Sequence, residues 1–491
     1  MKKHFLLLFS TLFFFCFSTV GKEQLDTMVL NPIDSTNLSN DTLSKKKIKK
    51  GWTFGALPSV AFDADLGFQG GLLGNVYYYG DGSIYPEYIH NFYVEAAYTT
   101  KHCGIFRFFY DSKFLIPNHR LTIDASYLPD AMCDFYGFNG YQSIYNQTWH
   151  KWKKDPTKMD TTSYQSRALY KYKRDLIRIA ADIEGNISGF WKWNVGVGVL
   201  GYLLDECNID MLNGKNEYNP TLSHQKAMNP ETKSLYEKYI DWGLIRENER
   251  KGGWHPYLHA GFTYDSRDKR ANPSRGIYTD AFLSYSAAFN SKTFGKQAEY
   301  NNLRFNFNFR HYVPIYKDRV TLAYHIGTQN LLVGKSPFYA NTYLQTLFLQ
   351  RVLYEGLGGG NSLRGIMRNR INADGYLFAN IEFRAKICHF DIGKQHFYIG
   401  VNPFFDFGMI TQGIDLGDVE KLKSKIIDGG DNPDDYFNFD QKALYRPHMS
   451  AGLGVKIAMN ENFILSVDWA AALDEQDGKL SNFYIKMGYL F

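Results

Sequence analysis

From Gly51 onward, apolar and polar residues alternate along much of the chain with a period of two. The clearest segment is Tyr376–Lys386, where Leu377, Ile381 and Phe383 fall on one face and Glu382 falls on the other. The same alternation recurs in NNLRFNFNFRHY, HMSAGLGVKI, NFILSVDWAA and the final NFYIKMGYLF. Because successive side chains of a β-strand point to opposite faces, each segment is predicted to be a strand with one apolar and one polar face.

The number and length of these segments favour a transmembrane barrel over a soluble β-sandwich. A membrane-spanning strand needs about 9–11 residues, apolar toward lipid and polar toward the lumen, and a closed barrel leaves no unpaired strand edge in the bilayer. The predicted fold is therefore all-β, a transmembrane antiparallel β-barrel of about 16 strands. The predicted strands are 52–62, 67–79, 90–100, 104–112, 118–128, 176–188, 190–204, 254–266, 276–287, 299–314, 318–332, 375–388, 395–412, 446–458, 462–472 and 482–491.

The connections between these strands sort by length onto the two ends of the barrel. Outer-membrane barrels have short periplasmic turns and longer extracellular loops. The predicted short turns at 189, 315–317, 389–394 and 459–461 all fall at one end, and the long connections at 129–175, 205–253, 333–374 and 413–445 fall at the other. A missed strand pair inside 129–175 or 205–253 would keep this parity and raise the total to eighteen.

The N-terminal region indicates export. Residues 1–21 combine two lysines, an apolar core and small residues at cleavage spacing, and are predicted to be a signal peptide. Residues 22–50 are polar and are predicted to form a disordered periplasmic tail. Its lysine run favours solvent or lipid headgroups over nucleic acid. The barrel is predicted to occupy 51–491.

Metal-binding and enzymatic signatures are weak. The cysteines after the signal peptide have no metal-site spacing, and the sequence leaves their disulfide state open; they are Cys103, Cys133, Cys207 and Cys388. His255 and His259 lie on a predicted strand, where lining the lumen is the simpler role. The acidic segment 428–435 could hold calcium, although a solvated loop is favoured. Without a Gly-x-Ser-x-Gly nucleophile motif, no enzyme and no cofactor are predicted.

The glycine-rich segment Gly358–Arg370, GGGNSLRGIMRNR, lies between the eleventh and twelfth predicted strands. If this loop folds into the lumen, Arg364 needs carboxylate partners, because a buried guanidinium is costly when unpaired. Glu382 and Asp406 are predicted to point inward from the two following strands, and an arginine can bind a carboxylate with two hydrogen bonds. Gly365 would permit close approach of the loop backbone. The alternative is that Arg364 contacts solvent or lipopolysaccharide phosphate outside the barrel.

Several of these segments together resemble a known family. SLRGI at 362–366 is similar to the Arg-Gly loop signature of the outer-membrane assembly-factor superfamily, the Bam-type and bacterial surface antigen barrels. FFDFG at 404–408 resembles the Phe-x-Asp-x-Gly strand motif of that family. Residues 264–286 and the last 44 residues are similar to further family segments, so the resemblance covers 255–491.

The resemblance implies that the loop clamp consists of Arg364, Gly365, Glu382, Phe404, Asp406 and Gly408. It also implies a seam between the first and last strands that can open sideways into lipid. The first strand would contribute Trp52–Phe62 to this seam. The closing strand would carry its signal at Phe483, Ile485, Gly488 and Phe491.

The resemblance implies assembly, insertion or translocation of proteins at the outer membrane of a Gram-negative cell. Polypeptide-transport-associated domains need roughly 75 residues each in this family, and we expect none here because few residues separate the signal peptide from the barrel. The expected partners are client outer-membrane proteins, membrane lipid and lipopolysaccharide, and periplasmic or membrane proteins, without nucleic acid. The alternatives are a structural or accessory subunit of a larger complex and a passive pore.

Overall fold

The computed structural model describes residues 48–491, except for 64–65, 86, 159, 161–162, 223, 270–271, 288, 291–299, 318, 344–355, 394, 460–462 and 479–481. Residues 1–47, which contain the predicted signal peptide and most of the predicted tail, lie outside the described residues. No helix among the residues described has both the length and the apolar character needed to cross a membrane.

The described residues form a closed antiparallel barrel in which each strand pairs with the next along the chain and the last pairs with the first. Sixteen strands make up this described barrel. The segment Phe289–Asn290 pairs with Trp254 and Gly253 in the same register as the ninth strand, which it therefore continues. The strands are β1 Trp52–Asp63, β2 Gly67–Tyr78, β3 His90–Thr99, β4 Gly104–Ile116, β5 His119–Asp134, β6 Lys171–Ser188, β7 Trp191–Asp205, β8 Gly252–Asp265, β9 Gly276–Ser286, β10 Asn302–Tyr316, β11 Val320–Gly334, β12 Gly375–Ile392, β13 Gln395–Gln412, β14 His448–Met459, β15 Phe463–Ala472 and β16 Asn482–Met487.

The alternating apolar and polar residues of the sequence are the outward-facing and inward-facing residues of the barrel wall. On β12, Ile381 and Phe383 are exposed on the outside, whereas Asn380, Glu382 and Arg384 are buried on the inside. Apolar side chains thus cover the surface that meets lipid, and polar side chains fill the lumen. The prediction of a barrel of about sixteen strands is confirmed.

Several predicted boundaries differ from the observed ones, and three of these differences change the loops or the seam. The β5–β6 pairing continues past a register shift between Asp130 and Cys133, so this loop is 135–170 rather than 129–175. The β12–β13 hairpin continues to the pair Ile392–Gln395 instead of turning at 389–394. The last strand ends at Met487 rather than at residue 491. Inside 135–170 and 206–251 the described residues form helices and turns without a further strand pair. The described residues of these two loops therefore do not supply the extra strand pair that an eighteen-stranded barrel would need.

The long loops pack together at one end of the barrel. Short helices occur in the described parts of these loops: α1 Ile209–Asn213, α2 Leu235–Asp241, α3 Phe338–Asn341, α4 Val419–Asp428, α5 Pro433–Tyr436 and α6 Gln441–Leu444. Phe135, Tyr239, Phe338 and Phe437, from four different loops, belong to one buried cluster rich in aromatic residues. Phe135 and Tyr239 meet edge to face with ring centroids 5.1 Å apart. We call this cluster the loop cap; it joins segments from opposite sides of the barrel.

Candidate functional site

The loop between β11 and β12 folds into the lumen. Leu357, Leu363, Ile366 and Ile371 of this loop are fully buried together. The Asn380 side chain of β12 donates a hydrogen bond to the backbone oxygen of Ser362 at 2.8 Å. The glycine-rich sequence therefore supplies a compact loop with an apolar underside, which places its arginine against the barrel wall.

Arg364 is 0% exposed and is bound by both carboxylates that the sequence suggested. Its Nε and Nη2 donate to the two oxygens of Asp406, each at 2.9 Å, and its Nη1 donates to Glu382 at 2.6 Å. The backbone N–H of Arg364 also donates to Asp406, at 2.9 Å. The guanidinium lies 3.4 Å from the centre of the Phe404 ring, so three donors and one π face of the cation are all occupied.

Two glycines make this approach possible. Gly365 has a φ of 87°, in the left-handed region, and a Cβ there would lie 2.9 Å from the backbone nitrogen of Ala471 on β15. Gly408 on β13 faces Leu363, and a Cβ there would lie 2.6 Å from Leu363 Cδ1. The structure thus brings all six residues of the predicted clamp to one place.

Sequence reasoning missed three of the five charged residues that surround Arg364. Arg384 donates to Glu382 at 2.8 Å. Lys456 lies 2.5 Å from Asp468, whose other oxygen is 3.9 Å from Arg364. The completed network, which we call the lumen charge network, contains three cations and three carboxylates: Arg364, Arg384 and Lys456 with Glu382, Asp406 and Asp468. Its formal charges sum to zero, which offsets part of the cost of burying each ion.

The other two arginines of the loop have separate partners. Arg368 donates to Asp134 at 2.7 Å and to Asp130 at 2.9 Å, at the end of β5. Arg370 donates to the backbone oxygens of Gly140, Ser143 and Gln476 at 2.8–2.9 Å. The three arginines therefore fix one loop to the wall, to β5, and to the backbone of the β5–β6 and β15–β16 loops.

The junction of β1 and β16, which we call the seam, is short. Within the described residues only Phe62 and Asp63 of β1 pair with β16, through Ile485 and Tyr484. By contrast, β1 pairs with β2 along its whole length, Trp52 to Asp63. The β1 edge from Trp52 to Ala61 has no partner on β16 among the residues described, so most of one seam strand is open.

The chain leaves the seam after Met487. Gly488 has a φ of 81°, which ends the strand. Tyr489 is buried and Phe491 lies in the lumen, where its backbone oxygen accepts a hydrogen bond from Arg384 at 2.8 Å. Of the four residues predicted as the closing-strand signal, Phe483 and Ile485 are on β16, Gly488 is at the turn, and Phe491 is not on the strand.

The lumen loop touches the closing strand from inside. The backbone N–H of Gly365 donates to the Tyr484 hydroxyl at 3.1 Å. The Lys486 ammonium donates to the backbone oxygen of Gly360. The clamp and the seam are therefore neighbours, joined by hydrogen bonds that lead from Arg364 to β16 within a few residues.

The remaining candidate sites stay apart from this region. His255 contacts the Tyr339 hydroxyl at 3.1 Å, and His259 contacts Asp182 at 3.0 Å, so the two do not share a ligand position. Asp431, in the acidic segment 428–435, pairs with Lys238 at 2.6 Å. Among the residues described there is no cluster of three potential metal ligands, and the four cysteines are free thiols.

A family model and one solved structure agree with this architecture. A family model described as the Omp85 superfamily domain matches residues 136–491, well over half of the chain. BamA from Haemophilus ducreyi lacking POTRA domains 1–3 aligns over 90% of this chain and 70% of its own, with 13% identity and a TM-score of 0.50, which concerns the fold alone. CdiB from Escherichia coli aligns at 9% identity and a TM-score of 0.47, and this chain spans 63% of its length; 90% of this chain is covered.

A sequence search of curated proteins found no match. The family assignment therefore depends on the domain match, which spans β6–β16 and the lumen loop described above. This chain belongs to the Omp85 superfamily and is an outer-membrane β-barrel.

Proposed function

We propose that this barrel inserts proteins into the outer membrane or translocates them across it, using the seam as the site where client strands engage. The observation that carries the proposal is the two-residue pairing between β1 and β16 in the described barrel. Each backbone hydrogen bond contributes roughly 0.5–1.5 kcal/mol net. The seam is thus far weaker than any junction with a dozen paired residues.

The open edge of β1 offers the chemistry that a client strand needs. Among the residues described, the backbone donors and acceptors of Trp52–Ala61 on the side that faces β16 have no strand partner. An extended segment can add to such an edge through main-chain hydrogen bonds, with little dependence on its sequence. A barrel strand in the bilayer cannot leave these groups unsatisfied, so a client strand would gain free energy by pairing with this edge.

The clamp would keep the rest of the barrel in place while the seam changes. Arg364 ties the lumen loop to β12 and β13, and the loop in turn holds Tyr484 of β16. This arrangement supports a mechanical role for the site. The partners would be client proteins, lipid and lipopolysaccharide, with a periplasmic or membrane protein delivering clients, and no covalent chemistry is proposed.

The loop cap favours this function over a passive pore. Aromatic residues from four loops form one packed core in the described part of the long-loop end. An open diffusion pore would need a solvated passage there, lined by polar side chains.

A disulfide across the seam tests the proposal. Phe62 and Ile485 are directly opposed, and opposed residues of antiparallel strands have Cα atoms about 4.5–5.5 Å apart, within the range that a disulfide bridges. In a Cys388→Ser background, the double variant Phe62→Cys/Ile485→Cys should fail to support outer-membrane protein levels when oxidised. Reduction should restore them, measured by the outer-membrane proteome after depletion of the wild-type copy.

The matched control is Leu322→Cys/Phe383→Cys, an opposed pair in the long β11–β12 junction. Its disulfide should have no effect, because that junction is not proposed to open. If the oxidised seam variant supports a normal proteome, with crosslinking confirmed by mass spectrometry, opening of the seam is not the mechanism.

A further inference from the structure

We propose that the edge of β12 from Ile387 to Ile392, at the short-turn end of the barrel, binds an extended segment of a periplasmic protein. That segment would add to the barrel sheet as an additional strand and would carry alternating apolar residues with acidic residues beside them. This docking surface, which we call the β12 edge, is remote from the seam in strand order. Its role stands whether or not the seam admits clients.

The β12 edge arises because two neighbouring strands end at different heights. On the β11 side, the last paired residues are Val320 and Ala385, followed by one hydrogen bond from the Lys386 N–H to the Arg319 oxygen at 2.8 Å. Beyond that point β12 pairs only with β13 among the residues described, as far as Ile392–Gln395. Six residues at about 3.3 Å each give an edge of roughly 20 Å, and alternate residues direct their backbone groups toward its open side.

The polar residues of this hairpin indicate that the edge lies in water. His389 is exposed, and His396 Nδ1 lies 2.6 Å from a carboxylate oxygen of Asp391, with side chains that are 79% and 66% exposed. An open strand edge and an exposed carboxylate would both be costly in hydrocarbon. The end with short turns is the periplasmic end of an outer-membrane barrel, so the edge projects into the periplasm.

Its apolar side chains are unusual for an edge in water. Ile387 and Ile392 are 63% and 60% exposed, and Phe390 is also exposed. Free edges are normally protected by proline, lysine or an edge-distorting bulge. The segment ICHFDI contains neither proline nor lysine, and its only register shift is at its base, between Lys386 and Cys388. These features fit an edge that another strand covers.

The charges beside the edge select the kind of strand. Lys317 and Arg319, in the adjacent β10–β11 turn, are both exposed. A segment that pairs with Ile387–Ile392 and continues past this turn would meet these cations, so acidic residues there would be favoured at long range and on contact. Lipid or a second copy of this chain are the competing occupants, and the experiment separates them.

Cys388 is a native reporter of this surface, since it is exposed on the β12 edge. Cys103 and Cys133 are buried, and burial raises the pKa of Cys207 in its loop to about 12, which suppresses its reactive thiolate. Alkylation of Cys388 by N-ethylmaleimide should be about tenfold slower in native outer-membrane fragments than in the purified barrel reconstituted in phosphatidylethanolamine–phosphatidylglycerol vesicles. A tenfold slower rate means that the partner segment covers the β12 edge in about nine tenths of the molecules.

The double variant Ile387→Lys/Ile392→Lys should remove this protection in native membranes. Ile315→Lys is the matched control, because Ile315 is equally apolar, 55% exposed and at the same end, but lies on β10 away from the edge. It should leave the protection intact. Heat-modifiable migration on gels verifies that each variant forms a barrel.

Photocrosslinking of the otherwise unchanged chain provides a second measurement that does not depend on the lysine variants folding. A photoreactive amino acid at position 392 should crosslink an apolar, acidic segment of another periplasmic protein, and one at position 315 should not. Equal alkylation rates in membranes and vesicles would overturn the proposal. Slow alkylation in the vesicles as well would identify lipid as the cover, and a crosslink to a second copy would identify self-association; either result would also overturn it.

Discussion

Replacing Arg364 should destabilise the barrel by about 3–5 kcal/mol, the cost of breaking a buried ion pair by removing one partner. The side chain is fully buried and makes three charge-assisted hydrogen bonds, two to Asp406 and one to Glu382. Hydrogen bonds to charged groups contribute about 1.5–3 kcal/mol each. The sum over the three bonds sets an upper limit on the loss of stability, and the predicted loss lies below that limit. In Arg364→Met the lumen charge network keeps two cations against three carboxylates, which leaves one negative charge without compensation.

The balance of charge in this network provides a second, sharper expectation. Asp406→Leu combined with Arg364→Met returns the network to equal numbers of cations and carboxylates. Replacing both members of a buried pair by apolar residues is often neutral. The double variant should therefore be more stable than Arg364→Met alone by about 1–3 kcal/mol, a coupling free energy typical of residues in one ion-pair network.

The assay is equilibrium unfolding in urea of the barrel reconstituted in vesicles, followed by tryptophan fluorescence, with Arg319→Ala as a control for loss of an exposed arginine. Exposed charges contribute at most about 1 kcal/mol. A loss below about 1 kcal/mol for Arg364→Met would refute the clamp as a source of stability. A double variant less stable than both single variants would refute the reasoning from charge balance.

Three further predictions concern other parts of the site. Gly408→Ala should cost about 1–3 kcal/mol in the same assay, because the new Cβ would lie 2.6 Å from Leu363 Cδ1; an unchanged midpoint would show that the loop can retreat. The pKa of Asp477, in the loop before β16, is lowered below 3.8 because His448 and Arg370 outweigh the opposing effect of burial. The ionised Asp477 therefore stabilises the fold fully at pH values above 3.8, and this stabilisation is lost as the pH falls through the lower pKa of the folded state. Asp477→Asn should make the free energy of unfolding fall less steeply in acid. The same fall in both proteins would contradict this. Gly488→Val should disfavour the inward turn, whose φ is 81°, and increase hydrogen-exchange protection of Trp52–Ala61; unchanged protection would show that the turn does not limit seam pairing.

The sequence predicted the barrel well because the apolar–polar alternation of the wall can be recognised in each strand separately. Lipid on one side and a polar lumen on the other impose a period of two on every strand, and each strand reports its own orientation. The same alternation predicted that Glu382 and Asp406 point inward. It also contains the information for Lys456 and Asp468, which lie on the inward faces of β14 and β15, although only their position beside Arg364 reveals that they complete the network.

What alternation could not predict depends on contacts between distant segments. In the final segment NFYIKMGYLF the period of two continues through Gly488, so it gives no sign that the strand ends at Met487 and that Phe491 enters the lumen. That turn depends on Arg384, about a hundred residues earlier, which binds the Phe491 oxygen. The loop cap is non-local in the same way, because most of its aromatic residues come from several different loops, which carry no strand periodicity.

The positions of the clamp contacts indicate which side of the seam is held and which is free. β16 is attached to β15 through Leu465–Met487 to Ala470–Asn482, and from inside through the hydrogen bonds of Tyr484 and Lys486 to the lumen loop. Within the described part of the chain, β1 pairs with β2 alone along most of its length. When the seam opens, β1 should therefore move together with β2, while β16 stays attached to the lumen loop. A client strand would meet a mobile template on one side and a closing strand that Arg364 holds in place on the other.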